Sequence, residues 1–175
     1  MRSTSAFPIK QTPPLLVVED SNEDFEALRR FLLRSALLPR GDAKGERSSA
    51  SLSPIAISIH RCVNGEQALA FLYRTGNYSD RKSSPRPGLI VLDLNLPGTD
   101  GREVLRRIKQ DANLKTIPVV VFTTSNNPKD IEECYRYGVN SYIVKPIDFA
   151  QLKRDIQTLV DYWFEVTMLP DCWED

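Results

Sequence analysis

Several apolar runs in this chain end on side chains able to do chemistry. "LLVVE" (15–19) runs into Glu19 and Asp20, and "LIVLD" (89–93) ends on Asp93. "IPVVVF" (117–122) is followed by Thr123 and Thr124, and "SYIV" (141–144) by Lys145 and Pro146. Three carboxylates brought to one pocket repel one another, so one must be protonated or a cation must be present. A hard cation with oxygen ligands fits, and Mg²⁺ does so while keeping several waters. Lys145 adds a compact positive charge and Thr123 a hydroxyl donor. Such a set can hold a phosphoryl group, with Asp93 attacking phosphorus as a carboxylate to form an aspartyl phosphate. Each residue also has a plainer role when taken alone. Asp20 can cap a helix, Asp93 can start the turn at "NLPG", Thr123 can be β-branched packing, and Lys145 can be a loop charge. Their common place after successive strands favours the chemical role.

The elements that must position them alternate in type. Short apolar runs at 15–19, 55–60 ("IAISIH"), 89–93, 117–122 and 141–144 read as five strands. Between them, apolar residues recur at three- and four-residue steps: Phe25, Leu28, Leu32 and Leu33, then Ala68, Leu69 and Leu72, then Val104, Leu105 and Ile108. The last helix carries Phe149, Leu152, Ile156, Leu159, Val160 and Trp163. Ser21 with Asp24, and Asn64 with Gln67, have capping-box spacing. Asn127 and Pro128 open the fourth helix and Gly138 closes it, while Gly76 is placed to end the second in a left-handed conformation. Strands that are apolar throughout, alternating with helices, predict an α/β fold. Its parallel sheet is covered on both faces. In such sheets the working site lies beyond the carboxyl ends of the strands.

The 175 residues suffice for one domain with a full core. We divide them into a flexible tail (1–13), a domain (14–164) and a C-terminal extension (165–175). A Gly-, Ser- and charge-rich flexible insertion occupies 39–54. Basic and acidic residues balance at 23 each, which argues against nucleic-acid binding driven by bulk charge. Cys62, Cys134 and Cys172 give neither a metal pattern nor a disulfide framework and suit a cytoplasmic protein. No apolar run is long enough to span a bilayer, and the N-terminus lacks the apolar centre of a signal peptide.

Together "VVED", "VLDLNLPGTDG", "VVVFTTS" and "SYIVKP" resemble the response-regulator receiver domain of two-component signalling, over roughly residues 14 to 164. "FLYRTGNYSD", "RPGLIVLDLNLPGTDGREVLRRIK" and "DYWFEVTMLP" are further similar to the stand-alone regulators that partner phytochrome histidine kinases. The resemblance implies a doubly wound flavodoxin-like sheet of order 2-1-3-4-5. It implies that Asp93 is the phosphoacceptor, that Asp20, Asp93 and the backbone carbonyl of Asn95 bind Mg²⁺ directly, and that Glu19 does so through water. Thr123 and Lys145 would contact the phosphoryl oxygens. Tyr142 would change rotamer as Thr123 moves, the Lys145–Pro146 bond would be cis, and the fourth helix, fifth strand and fifth helix would form the readout face. The phosphoryl group would come from a histidine kinase of phytochrome type, His60 being the only histidine and read as structural.

A switched binding module without an output domain is therefore the leading reading. The alternative is a Mg²⁺-dependent phosphatase of the haloacid-dehalogenase type with Asp93 as nucleophile. That class places a second Asp two residues on as general acid, where this chain has Asn95. A non-phosphorylated adaptor and a nucleotide-binding flavodoxin-like protein are weaker, since the acidic site is intact and no Gly-rich phosphate loop appears. Phe164, Val166, Met168, Leu169 and Trp173 are many apolar groups for a tail. They either fold back or, the preferred expectation, join a homodimer through the last helix and extension.

Overall fold

The computed structural model describes residues 12–37 and 57–170. The 39–54 insertion, most of the 1–13 tail, Cys172 and Trp173 lie outside them. Strands β1 (Leu15–Val18), β2 (Ile59–Cys62), β3 (Leu89–Leu92), β4 (Val119–Thr123) and β5 (Ser141–Val144) form one parallel sheet of order β2-β1-β3-β4-β5. Helices α1 (Asn22–Leu37), α2 (Gly65–Tyr73), α3 (Gly101–Gln110), α4 (Pro128–Tyr137) and α5 (Phe149–Val160) follow the strands in turn. The alternating pattern predicts the parallel sheet with helices, and the receiver-domain resemblance its flavodoxin-like order, and both are found.

Period-two alternation along each strand divides the core. Leu16, Val18, Ile90, Leu92, Val119 and Val121 face α2, α3 and α4, meeting Leu69, Phe71, Val104, Leu105, Ile108 and Cys134. Leu15, Val17, Leu89, Val91, Val120 and Phe122 face α1 and α5, meeting Leu28, Phe31, Leu32, Ile156, Leu159 and Val160. Each fully buried side chain of this size contributes roughly 1.5–3 kcal/mol relative to exposure. Two packed faces make the sheet a rigid platform for its carboxyl edge.

Some boundaries differ from expectation, each for a local reason. Strand β2 lies later than 55–60, because β1 is short and pairs only from Leu15↔Ile59 to Val18↔Cys62. Strand β4 begins at Val119: Pro118 has no N–H to give the ladder, and the Ile117 N–H is still turned onto the Leu114 carbonyl. The left-handed residue ending α2 is Arg74 (φ 54°), not Gly76, which instead opens a short 3₁₀ turn, Gly76–Tyr78. The Arg74 and Thr75 N–H groups close the last turn of α2 before Gly76 is reached. Asn127 and Gly138 cap α4 as expected.

The C-terminal tail divides. After α5 a turn of π-helix, Asp161–Val166, buries Phe164 in the α1/α5 core, and Leu169 packs against the same cluster. Val166 and Met168 stay exposed, at 74% and 98%. Phe149, the first apolar residue of the last helix, is mostly exposed but rests against Phe31 with ring centroids 5.0 Å apart. No helix among the described residues is long and apolar enough to cross a membrane.

Candidate functional site

Register brings the reactive residues together. Val18 pairs with Leu92, so Glu19 and Asp93 leave the sheet side by side, and the Asp93 N–H donates to the Val18 carbonyl at 3.0 Å. Thr123 pairs with Val144, so Lys145 emerges beside it with its N–H on the Thr123 carbonyl at 2.7 Å. Glu19, Asp93 and Thr123 are buried, at 3%, 5% and 0% exposure, whereas Asp20 is open to solvent.

At the centre is the Lys145 ammonium. Its Nζ donates to Asp93 Oδ2 at 2.7 Å, Glu19 Oε2 at 2.7 Å and Asp24 Oδ2 at 2.8 Å. Burial by itself would lower the lysine pKa. Charge-assisted bonds to Asp24, Asp93 and Glu19 more than offset that and hold it above its ordinary value. Burial also pushes Glu19 above the usual carboxylate range, with the ammonium only partly opposing it and the neighbouring Asp93 adding to the rise. The lysine thus keeps its proton among the three acids.

Glu19, Asp20 and Asp93 each offer a carboxylate oxygen, and these oxygens all lie within 4.8 Å of one another. Three hard oxygen donors, two of them buried, with one ammonium against them, leave an excess of negative charge that fits a divalent cation. The Asn95 N–H caps Asp93 Oδ1 at 3.1 Å, and its side-chain amide donates to Thr124 Oγ1 at 3.1 Å. Gly101 makes this loop possible. A Cβ there would stand 2.2 Å from the Asp93 carbonyl oxygen and 2.6 Å from Leu94 Cα, so α3 starts pressed against the loop that carries the acid.

Thr123 and Tyr142 are connected through one loop. Thr123 Oγ1 accepts from the Ser125 N–H at 3.4 Å, and the Tyr142 hydroxyl donates to the Ser125 carbonyl at 3.0 Å. The Lys145–Pro146 bond is not cis, contrary to the expectation, since the described residues contain no cis peptide. Even a tertiary amide favours trans by about 0.5–1 kcal/mol.

Three contributors escaped sequence reasoning. Asp24 was assigned to a capping box, but only half of that box forms. The Asp24 N–H donates to Ser21 Oγ at 3.2 Å, while the Ser21 N–H is taken by Glu19 Oε1 at 3.1 Å and the Asp24 carboxylate turns to Lys145. Its one available signal was position, in the first turn of a helix starting directly after the acid pair. Arg61 of β2 clamps the end of β1, donating to the Glu19 and Asp20 carbonyls at 3.0 and 2.9 Å, with its guanidinium over the Phe25 ring. Arg102 of α3 grips Asp130 of α4 through two bonds, at 3.1 and 2.6 Å, and Asp130 accepts from Ser125 Oγ at 2.5 Å. No local pattern marks these long-range pairs. His60 is half-buried beside Phe71 and Ser58, and burial pushes its pKa down, in keeping with a structural role.

Comparison with known proteins gives a consistent assignment. The family model described as the response regulator receiver domain matches residues 50–157. Response regulator Rcp1 of Synechocystis sp. is 48% identical over 166 residues, covering 92% of this chain and 97% of that protein. The crystal structure of the Mn²⁺-bound form of Rcp1 superposes with a TM-score of 0.75 at 38% identity, over 91% of this chain and 99% of that one. The phosphorylated cyanobacterial phytochrome response regulator RcpA gives 0.74 at 34% identity with the same coverage. None of these relatives supports the haloacid-dehalogenase alternative. On fold, strand-end chemistry and kinship together, the chain belongs to the response regulator receiver domain family.

Proposed function

We propose that this protein accepts a phosphoryl group on Asp93 from a partner histidine kinase and thereby switches a binding surface. The observation that carries this is the Lys145 ammonium held between Asp93 and Glu19, with Asp20 in the same cluster. An Asp93 carboxylate oxygen attacks phosphorus as the bond to the donor's imidazole nitrogen breaks. Lys145 and Thr123 meet the phosphoryl oxygens, Lys145 from a position its three acid partners already fix. Glu19, Asp20, Asp93 and the carbonyl of Asn95 would hold Mg²⁺, which supplies charge neutralisation at the transferred group. When Thr123 turns to the phosphoryl group it releases the Ser125 N–H, and Tyr142, bonded to the same loop, follows.

The partner that fits is a kinase of phytochrome type, since the relatives at this level of identity include phytochrome response regulators. Asn95 in place of a second Asp leaves no general acid for phosphatase turnover, so the chemistry is confined to the protein's own phosphorylation and dephosphorylation. We further propose a cytoplasmic homodimer that does not bind nucleic acid. Val144, Tyr162, Val166 and Met168 support the dimer as exposed apolar groups along the β5 edge and the turn and tail that follow α5.

Incubation with acetyl phosphate and Mg²⁺, followed by intact mass spectrometry, should add one phosphoryl group that Asp93→Asn abolishes. Labelling that persists in the variant would place the acceptor elsewhere. Phosphotransfer profiling against the histidine kinases of the source organism then tests the partner: if no kinase labels Asp93, the relay role is wrong.

A further inference from the structure

We infer that Asp24 is a positioning residue for Lys145, holding its ammonium against Asp93 and keeping it from closing over the acid cluster. This rests on the phosphoacceptor reading for its consequence, though not for its geometry. An ammonium has three N–H donors, and Lys145 spends one on each of Glu19, Asp24 and Asp93, at 2.7, 2.8 and 2.7 Å. The three acceptors come from different elements, the ends of β1 and β3 and the first turn of α1, so they fix Nζ from three directions. Two of them belong to the cluster that fits a divalent cation, and Asp24 does not.

That asymmetry gives Asp24 its effect. Lysine is a point charge on a flexible four-carbon stem, so its ammonium shifts toward whichever acceptors remain, and an N–H left without one turns to solvent. With Asp24 absent, the whole ammonium falls to Glu19 and Asp93, where it competes with a cation for the same oxygens. With Asp24 present, part of the charge is drawn toward α1, and the Nζ position is kept when Asp93 engages a phosphoryl group. The Asp24 carboxylate is available for this because Glu19 has taken its place on the Ser21 N–H. Its side chain is 44% exposed against 4% for Glu19 and 6% for Asp93. It is therefore the partner that can be changed at least cost to folding.

Three variants separate this role from a simple helix charge. Asp24→Ala removes the acceptor and the charge, and Asp24→Asn keeps an acceptor oxygen. Glu23→Gln removes an equal charge from the same exposed helical turn, with no contact to the lysine. In metal-free protein the ¹⁵N-detected Lys145 ammonium signal should persist in wild type and Glu23→Gln and be lost to exchange in Asp24→Ala. Mn²⁺ affinity, by titration, should fall about fivefold or more in Asp24→Ala, less in Asp24→Asn, and stay near wild type in Glu23→Gln. Acetyl phosphate labelling of Asp93 should slow by about tenfold in Asp24→Ala, with Asp24→Asn between. If Asp24→Ala matches Glu23→Gln in ammonium signal and Mn²⁺ affinity, or labels as fast as wild type, the inference is overturned. Wild-type protein that does not label at Asp93 would instead sink the phosphoacceptor reading, leaving the first two measurements to decide the role of Asp24.

Discussion

Lys145 brings one positive charge into a site where two of its three acid partners are themselves buried, so its removal strands them. Breaking a buried pair by deleting one partner typically costs about 3–5 kcal/mol, because the remaining charge has no compensation. Lys145→Met should therefore lower the urea stability of the metal-free protein by about that much at neutral pH. Added Mg²⁺ should restore part of the loss by binding the folded state alone. The pH dependence follows from the raised lysine pKa. The folded state holds this proton more tightly than the unfolded chain, so the stabilisation is complete below about 10.5 and is lost as pH rises through the folded value. Wild-type stability measured by urea unfolding should decline across that alkaline window, and Lys145→Met should show a flatter profile. An unaltered alkaline slope in the variant would assign the decline to other groups.

Two glycines show how separately stability and site geometry are encoded in the elements. Gly138 ends α4 at φ 92° with open space around it, so Gly138→Ala meets only backbone strain, roughly 1–2 kcal/mol. Gly101 is in an ordinary helical position, but its Cβ would collide with the backbone at Asp93 and Leu94. Gly101→Ala should cost about 1–3 kcal/mol by overpacking, and should also slow acetyl phosphate labelling because the loop bearing Asp93 must move. Urea unfolding and labelling rates measured on both variants should separate them: Gly138→Ala loses stability alone, Gly101→Ala loses both. Helix capping was readable in advance where one side chain serves one local N–H, as at Asn64 and Asn127. It was misread at Ser21–Asp24, where a distant lysine outbid the local backbone for the carboxylate.

At the scale of the whole molecule, the edge position of β5 and the divided tail mark where the proposed second copy would dock. Among the described residues strand β5 has a neighbour on one side only, and Tyr142, Val144, Tyr162 and Trp163 line a cavity of about 450 Å³ along it. Phe164 and Leu169 are committed to the chain's own core, which leaves Val166 and Met168, among the described residues of the tail, as apolar groups open to a partner. Sedimentation of the full chain against a chain ending at Phe164 tests the proposed dimer. The shortened protein should shift toward monomer, and unchanged self-association would remove the tail from the interface. The boundary between domain and extension at 164 is itself a proposal, and Leu169 at the core shows that packing continues past it.

The sequence by itself determined which chemistry-bearing residues stand at the carboxyl ends of β1, β3, β4 and β5. Apolar runs that give way together to Glu19, Asp93, Thr123 and Lys145 read as buried strands opening at one edge, because a charged group is expensive inside the sheet. It also determined the sheet's parallel character, since strands apolar on both faces require helices on both sides. Tertiary structure alone decided which distant groups meet. The register of Val18 with Leu92 and of Thr123 with Val144 places Lys145 on Asp93. The angle at which α1 leaves β1 brings Asp24 to the same ammonium, and the fold of the tail buries Phe164 while exposing Met168. These are matters of relative position across the chain, fixed by packing of the two core faces, and no local spacing records them.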